Sequence, residues 1–217
     1  MEDDGVWAAI DCQRLAIADL LEGLSDEQWG HPSLCDGWTV RDVAGHLTLQ
    51  QMGLGAAVLT GIRHPGGLNR VIRDSARSRA AAPVGQLVAQ IRAMVGSRRH
   101  NVGITAREAL MDSLVHGQDI AIPLDLTLDM PAEPAAVAAT TVWSCGKGKA
   151  RVFRSLPLQG FRLKATDTSW AVGEGPEIRG PISAILLLLT GRPVALPRLT
   201  GDGASALRRE LSMPAAG

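Results

Sequence analysis

Apolar residues recur at helical spacing in four segments within the first 122 residues. The segments run over about 6–24, 40–59, 83–95 and 105–117, and each has one apolar face. Apolar positions at i, i+3 and i+4 are typical of a helix that buries one side. Four such helices predict an antiparallel four-helix bundle.

The pattern changes after about residue 122. Prolines mark this boundary: Pro123, Pro131 and Pro134. We therefore divide the chain into domains at 1–122 and 123–217. Alternating apolar and polar residues over 161–172 predict two strands joined by a turn, between helices over about 135–145 and 181–191. The predicted fold class is mostly α, with a four-helix bundle followed by a small α/β carboxy-terminal domain.

Composition narrows the possible functions. The chain has 217 residues and is 46% hydrophobic, which suffices for a sizeable core. Its 22 basic and 22 acidic residues give zero formal net charge, which argues against nucleic-acid binding through a broad cationic face. The apolar runs fall short of the ~20 residues of a membrane span, and the amino terminus lacks the features of a secretory signal. We expect a soluble protein.

The cysteines favour a reducing compartment. Cys12, Cys35 and Cys145 are odd in number and include no C-x-x-C pair, which fits a cytoplasmic protein better than a disulfide-stapled secreted one. We interpret all three as small buried residues. For Cys35, close to a predicted helix, a reactive thiol is the alternative.

The segment over 105–119 carries the first candidate chemistry. Thr105 and Glu108 form the sequence pattern of a capping box, so a helix is predicted to begin there and to end at Gly117. Within it, Asp112 and His116 are four residues apart, which places both side chains on one face, where they can bind one metal ion. The alternative is that His116 is a histidine of the core and that Asp112 is a solvated helix residue.

A second histidine lies on an apolar helix face. Thr39 and Asp42 mark the start of the helix, and His46 and Gln50 follow in phase with its apolar residues. His46 is therefore predicted to point inward, and antiparallel packing would bring both histidine-bearing helices together in the bundle core. A separate group of basic residues predicts either an anion-binding cluster or a solvated helix face. Its members are Arg70, Arg73, Arg77 and Arg79.

Several motifs resemble one known family. Residues 32–47 read Pro-Ser-x-Cys-Asp-Gly-Trp-Thr-Val-Arg-Asp-Val-x-x-His-Leu, and residues 112–119 read Asp-x-x-x-His-Gly-x-Asp. Together with residues 161–181 and the sequence Leu-Thr-Gly-Arg at 189–192, they are similar to the mycothiol-dependent maleylpyruvate isomerase family, within the DinB-like metal-dependent thiol transferases. The resemblance covers nearly the whole chain.

The resemblance implies a DinB-like bundle that holds one divalent metal, usually zinc. Its three protein ligands would be His46, Asp112 and His116. The family has glutamate where this chain has Asp112, and the shorter side chain predicts weaker binding or helices drawn closer together. Three protein ligands leave the fourth position that catalytic zinc sites use. Asp119 either orients a ligand from outside the coordination sphere or caps a turn.

The resemblance also implies an activity. The cosubstrate would be mycothiol, a low-molecular-weight thiol, and the substrate a small, anionic electrophile such as maleylpyruvate. Arg192 matches the carboxy-terminal arginine that the family needs for activity, a role that would require the carboxy-terminal domain to cover the metal pocket. Alternatively, Arg192 contacts the last carbonyls of its helix. We thus predict a cytoplasmic isomerase or S-transferase that binds neither nucleic acid nor membrane. The alternatives are a non-catalytic metal or ligand binder, a sensor or sequestering protein, and a protein whose metal is structural.

Overall fold

The computed structural model describes residues 1–145 and 156–212. The chain divides into two compact units, Met1–Asp129 and Met130–Gly217. Residues 123–129 lie with the first unit because Leu126 N donates to Ala121 O and Gln118 Nε2 donates to Leu128 O. The boundary between the units thus lies after Asp129, seven residues beyond the boundary that the prolines predict after residue 122.

Helices account for most of the first unit. They are α1 Asp3–Glu22, α2 Asp26–Gly30, α3 Val40–Leu47, α4 Leu54–Arg63, α5 Leu68–Ala80, α6 Val84–Ala93 and α7 Ala106–Ala121, followed by a 3-10 turn at Ile122–Leu124. Both α6 and α7 pack against α1 and also against α3. These four helices enclose the apolar core, which confirms the predicted four-helix bundle.

Capping boxes start three of these helices. At α7, Glu108 Oε2 accepts from Thr105 N at 2.7 Å, and Thr105 Oγ1 accepts from Glu108 N at 3.3 Å. Thr39 and Asp42 make the same reciprocal bonds at α3, as do the side chains of Ser25 and Gln28 at α2. Each box satisfies backbone N–H groups that a helix start leaves without partners. The predicted starts of α3 and α7 are therefore confirmed.

The prediction of one continuous helix over 40–59 is wrong. The chain leaves α3 after Leu47 and begins α4 at Leu54. Between them lie turns in which Leu49, Gln50 and Met52 each donate a backbone N–H to the carbonyl of the third residue before. Met52 N donates to the side chain of Asn101 at 2.7 Å instead of continuing the helix. Gly53 is the N-cap of α4. Glycine destabilises the interior of a helix, so a break at this position is favoured.

The predicted helix end at Gly117 is also wrong, since α7 continues to Ala121. Gly117 instead allows α7 to approach its neighbours closely. A Cβ at this position would lie 2.6 Å from Leu128 Cδ2 and 3.0 Å from Gln13 Nε2. The extra helical turn brings Asp119 onto the same helix as His116.

The α5 helix fixes the position of α3. A Cβ on Gly45 would lie 2.6 Å from Ala76 O and 2.9 Å from Ala80 N, so the two backbones are in direct contact. Arg41 caps α5 through bonds to the carbonyl oxygens of Ala80 at 2.6 Å and Ala82 at 2.8 Å. The basic residues of α5 bond within the chain: Arg70 and Arg73 to Asp74, Arg77 to Gly37 O and Arg79 to Thr48.

The second unit has a small sheet packed with helices. Its elements are α8 Ala132–Ser144, β1 Arg162–Ala165, β2 Ala171–Val172, β3 Glu177–Gly180, α9 Ile182–Leu189, a 3-10 segment Pro193–Arg198 and α10 Asp202–Ser212. The strand order is β2-β1-β3, with β1 antiparallel to β2 and parallel to β3. Pro181 precedes the buried apolar helix α9, which packs against α8. The predicted α/β carboxy-terminal domain is confirmed, whereas β3 and α10 escaped prediction.

The prediction that all three cysteines are buried is wrong. Cys12 is exposed, and Cys35 and Cys145 are half-buried. Cys12 is exposed because α1 buries the face that carries Ile10, Gln13 and Ile17 and turns Cys12 away from it. Among the described residues, no helix combines the length and apolarity needed to cross a membrane.

Candidate metal site

Three side chains from two bundle helices converge on one point. His46 comes from the last turn of α3, and Asp112 and His116 lie one turn apart on α7. One ligand atom from each lies within 4.8 Å of the other two. Asp112 Oδ1 is 3.3 Å from Nε2 of His116 and 3.5 Å from Nε2 of His46. The structure thus brings together all three residues that the resemblance implied.

These separations suit a tetrahedral metal ion. Two ligands of zinc with bonds of about 2.0–2.1 Å lie about 3.3–3.4 Å apart when the angle between them is tetrahedral. The distances from Asp112 Oδ1 to the two imidazole nitrogens, 3.3 and 3.5 Å, are close to that value. Aspartate is therefore long enough to serve as a ligand here, and two imidazoles with one carboxylate form a set that zinc accepts.

Asp119 fixes the orientation of the His116 ring. Its Oδ2 atom accepts a hydrogen bond from His116 Nδ1 at 2.8 Å, and its side chain is fully buried. A proton held on Nδ1 leaves Nε2 of neutral His116 as the nitrogen with a lone pair, facing Asp112 and His46. A carboxylate bonded to the far nitrogen of a ligand histidine is common at zinc sites. This arrangement matches the first of the two roles considered for Asp119.

The loop between α2 and α3 contacts the same carboxylate, that of Asp119. Cys35 Sγ donates to Asp119 Oδ2 at 3.1 Å and lies 3.7 Å from His116 Nδ1. Ser33 closes the loop through bonds to Trp38 O and from Cys35 N, and Leu34 N donates to Asp119 O. The loop therefore supports Asp119, and through it His116, from outside the cluster.

Gln50 and Trp38 complete the surroundings. Gln50 Nε2 donates to Asp112 Oδ2 at 2.8 Å, and Trp38 contacts the His46 ring edge-on with ring centroids 5.6 Å apart. Sequence reasoning gave neither residue a role. In the helix predicted over 40–59, Gln50 lies four residues after His46, which is the spacing of two side chains on one helix face, although α3 itself ends at Leu47. That spacing was the available signal.

The cluster is electrostatically coupled. Burial by itself would raise the pKa of Asp112, but the charges of His116 and His46 and their hydrogen bonds hold it well below its ordinary value. Burial would lower the pKa of His116, but the Asp112 charge, with hydrogen bonds to Asp112, Asp119 and Cys35, raises it well above its ordinary value. The negative charge of Asp112 and positive charge on the imidazoles thus stabilise each other.

The cluster is accessible from solvent. The side chains of His46, Asp112 and His116 are 17, 23 and 16% exposed, so an ion and a small ligand can reach them. By contrast, Glu108, one turn before Asp112, is buried and its Oε2 is bonded to the backbone N and hydroxyl of Thr105. Asp112 is therefore the α7 carboxylate that faces the two imidazoles.

Arg192 lies in the second unit, just after α9. Its side chain donates to Thr190 O, and its backbone N donates to Leu187 O at 2.8 Å. The first contact is that of an arginine at a helix end, the alternative considered for this residue. The catalytic assignment of Arg192 remains a prediction.

The fold and the cluster define a class: a helical-bundle protein with a candidate three-ligand metal site open to solvent. Residues 10–100 match the model of the mycothiol maleylpyruvate isomerase N-terminal domain. The matched segment includes His46 and ends before α7. Among curated proteins, none matches the sequence.

Two solved structures have a similar fold, and the similarity extends over most of this chain. A histidine-to-alanine variant of mycothiol-dependent maleylpyruvate isomerase has a TM-score of 0.59 and 11% identity, covering 94% of each chain. The unsubstituted enzyme has a TM-score of 0.57 and 12% identity, again over 94% of each chain. The resemblance noted in the sequence is thus confirmed: the protein is maleylpyruvate isomerase-like in its amino-terminal sequence and in its fold.

Proposed function

We propose that the protein is an enzyme, a metal-dependent isomerase or S-transferase that uses mycothiol as its thiol cosubstrate in the cytoplasm. The observation that supports this proposal best is the position of Asp112 Oδ1, which lies 3.3 Å from His116 Nε2 and 3.5 Å from His46 Nε2, as ligands of one tetrahedral ion would. The family-model match and the shared fold support mycothiol as the thiol and isomerisation or S-transfer as the reaction. The substrate class we infer is a small anionic electrophile, with maleylpyruvate as the first candidate.

The proposal assigns roles to particular residues. His46, Asp112 and His116 would hold the ion, most plainly zinc, and leave one coordination position to a ligand from solution. A bound cation there would lower the pKa of an incoming thiol and so supply a nucleophilic thiolate near neutral pH. Asp112 contributes a negative charge that limits the net charge of the site. Asp119 keeps the proton of His116 on Nδ1, away from the ion.

Substrate recognition is assigned to the carboxy-terminal unit. We propose that Arg192 binds a carboxylate of the substrate, since a guanidinium pairs with carboxylates in a planar, bidentate manner. Arg192→Lys should therefore raise KM for an anionic substrate more than it changes zinc content.

The proposal is tested by turnover. Purified protein is stripped with a chelator, reloaded with zinc, and assayed with mycothiol against maleylpyruvate and a panel of neutral and anionic electrophiles. We expect thiol-dependent turnover that the chelator removes and zinc restores, with anionic electrophiles preferred. His46→Ala is the matched loss-of-site variant, and His64→Ala, an exchange in the loop after α4, is the control.

Three outcomes would contradict the proposal. Zinc binding through the three residues without turnover of any electrophile would favour the non-catalytic binder, a sensor or sequestering protein. Turnover that is unaffected by zinc removal would separate the activity from the cluster. A protein that unfolds on chelation but has no thiol-dependent activity would have a structural metal.

A further inference from the structure

We infer that Gln50 is a positioning residue that makes Asp112 a monodentate metal ligand. The inference rests on the proposed metal site and deepens it. It starts from the short side chain of Asp112, which faces both imidazoles. A short carboxylate has less freedom to adjust, so the groups around its second oxygen decide how it can bind an ion.

The two oxygens of Asp112 have different partners. Oδ1 faces Nε2 of His116 at 3.3 Å and Nε2 of His46 at 3.5 Å. Oδ2 accepts from Gln50 Nε2 at 2.8 Å. The carboxylate is thus held with one oxygen toward the imidazoles and the other toward an amide.

Gln50 is itself firmly held. The residue is buried, with 3% exposure. Its Nε2 lies 3.1 Å from Ser113 Oγ as a donor, and its Oε1 lies 3.3 Å from the same hydroxyl as an acceptor. Because a carboxylate only accepts hydrogen bonds, the Gln50 atom next to Oδ2 must be the NH₂ group. Buried amides with satisfied partners have little freedom to rotate. Gln50 is therefore a rigid donor.

The geometry disfavours symmetric binding of an ion by both oxygens of Asp112. An ion bound equally by Oδ1 and Oδ2 lies on the bisector of the carboxylate, whereas both imidazole nitrogens converge on Oδ1. Moving the ion toward Oδ2 would also bring it toward the Gln50 NH₂ group, whose hydrogens carry positive partial charge. Gln50 thus favours four-coordinate over five-coordinate binding, because it withholds Oδ2 from the ion and leaves a single position for the thiol.

The chain offers a close control. Gln51 is the next residue, and its Nε2 lies 3.5 Å from Met94 O, away from the three ligands. Gln50→Leu removes the donor while keeping the approximate volume. Gln50→Glu keeps the shape and replaces the NH₂ group with an acceptor. Gln51→Leu removes the same kind of amide one position along the chain.

The experiment measures the affinity and the coordination of the ion separately. Zinc affinity is obtained by chelator competition, and Co²⁺ substituted at the site reports coordination number, since four-coordinate Co²⁺ absorbs visible light more strongly than five-coordinate Co²⁺. We expect Gln50→Leu to weaken zinc binding at least about tenfold and to shift the cobalt spectrum toward the weaker, five-coordinate form. Gln50→Glu should weaken binding too, and Gln51→Leu should match wild type.

The outcomes distinguish this inference from the proposed function. If wild-type protein bound zinc and His46→Ala lost it, while Gln50→Leu and Gln50→Glu kept the wild-type affinity and cobalt spectrum, the positioning role would be overturned and the metal site retained. If wild-type and His46→Ala protein bound zinc equally, the site itself would be wrong. Should Gln50→Leu fail to fold, Gln50→Glu with the same two measurements decides.

Discussion

His116 and Asp119 are joined by a 2.8 Å bond from Nδ1 to Oδ2, within a single helix that runs past Gly117 to Ala121. The Asp119 side chain is fully buried. A buried carboxylate is costly without hydrogen bonds, and here its Oδ2 also accepts from Cys35 Sγ at 3.1 Å. The bond sets the ring plane of His116 and directs Nε2 at the other two candidate ligands.

Exchange of Asp119 for asparagine tests this bond. We expect Asp119→Asn to weaken zinc binding by about tenfold or more, because loss of the carboxylate charge lowers the basicity of His116 and frees its ring to turn. Chelator competition measures the affinity. Asp129→Asn, at an exposed position, is the control and should have no effect. Equal affinities for both variants would show that Asp119 does not act on the site.

Two carboxylates one turn apart on α7 provide a matched pair. Asp112→Asn should reduce zinc binding strongly by removing the ligand's charge, and Asp112→Glu should keep or tighten it. Glu108→Gln should leave zinc affinity unchanged and cost little stability, because glutamine can make the same capping box with Thr105, as Gln28 does at α2. Zinc titration and chemical denaturation measure the two effects. The reverse result would assign the ligand to Glu108.

Metal binding should compete with protons. Without metal, the pKa of His116 is raised well above its ordinary value because the Asp112 charge outweighs burial, so the protonated imidazole must lose its proton when zinc binds. Zinc affinity should therefore increase as pH rises toward that pKa. Titration calorimetry at neutral pH in buffers of different ionisation enthalpy counts the protons released. Zero release from wild-type protein would contradict the expectation.

The same pair makes the stability of metal-free protein depend on pH. His116 has a raised pKa, so its contribution is complete below about pH 6.5 and is lost as pH rises through the raised value. Asp112 has a lowered pKa, so its contribution is complete above about pH 4 and is lost as pH falls through the lowered value. With chelator present, Tm should decline on the alkaline side, and His116→Gln should remove that decline.

Two glycines in helices should respond oppositely to alanine. Gly45→Ala places a Cβ 2.6 Å from Ala76 O, so the α5 backbone must shift, and overpacking of this kind costs about 1–3 kcal/mol. That exceeds the gain in helix propensity of about 1 kcal/mol. Gly61→Ala has open space around it and should be neutral or stabilising. Urea denaturation measures both, and a stabilising Gly45→Ala would refute the close contact.

Much of the architecture is encoded locally. Capping boxes predict the starts of α3, with Thr39 and Asp42, and of α7, with Thr105 and Glu108. Such a box is formed by residues three apart and needs no tertiary partner. The apolar stripes then predict which faces turn inward. The inward position of His46 follows directly from these signals.

Other features depend on contacts between distant segments. Gly117 has the sequence signature of a helix end, but its missing side chain serves the packing of α7 against Gln13 and Leu128, which no local pattern reveals. The break after Leu47 involves a bond from Met52 N to Asn101, far along the chain. The role of Gln50 requires knowledge of where Asp112 directs its second oxygen.

The capping boxes also set where length changes can be tolerated. His46 stands seven residues after the N-cap Thr39, and Asp112 stands seven residues after the N-cap Thr105, so each candidate ligand lies about two turns into its helix. A residue inserted between cap and ligand would rotate that ligand by about 100° around the helix axis and away from the cluster. A residue inserted before the cap would leave the angle unchanged. Natural and engineered variation in loop length should therefore concentrate upstream of these two threonines.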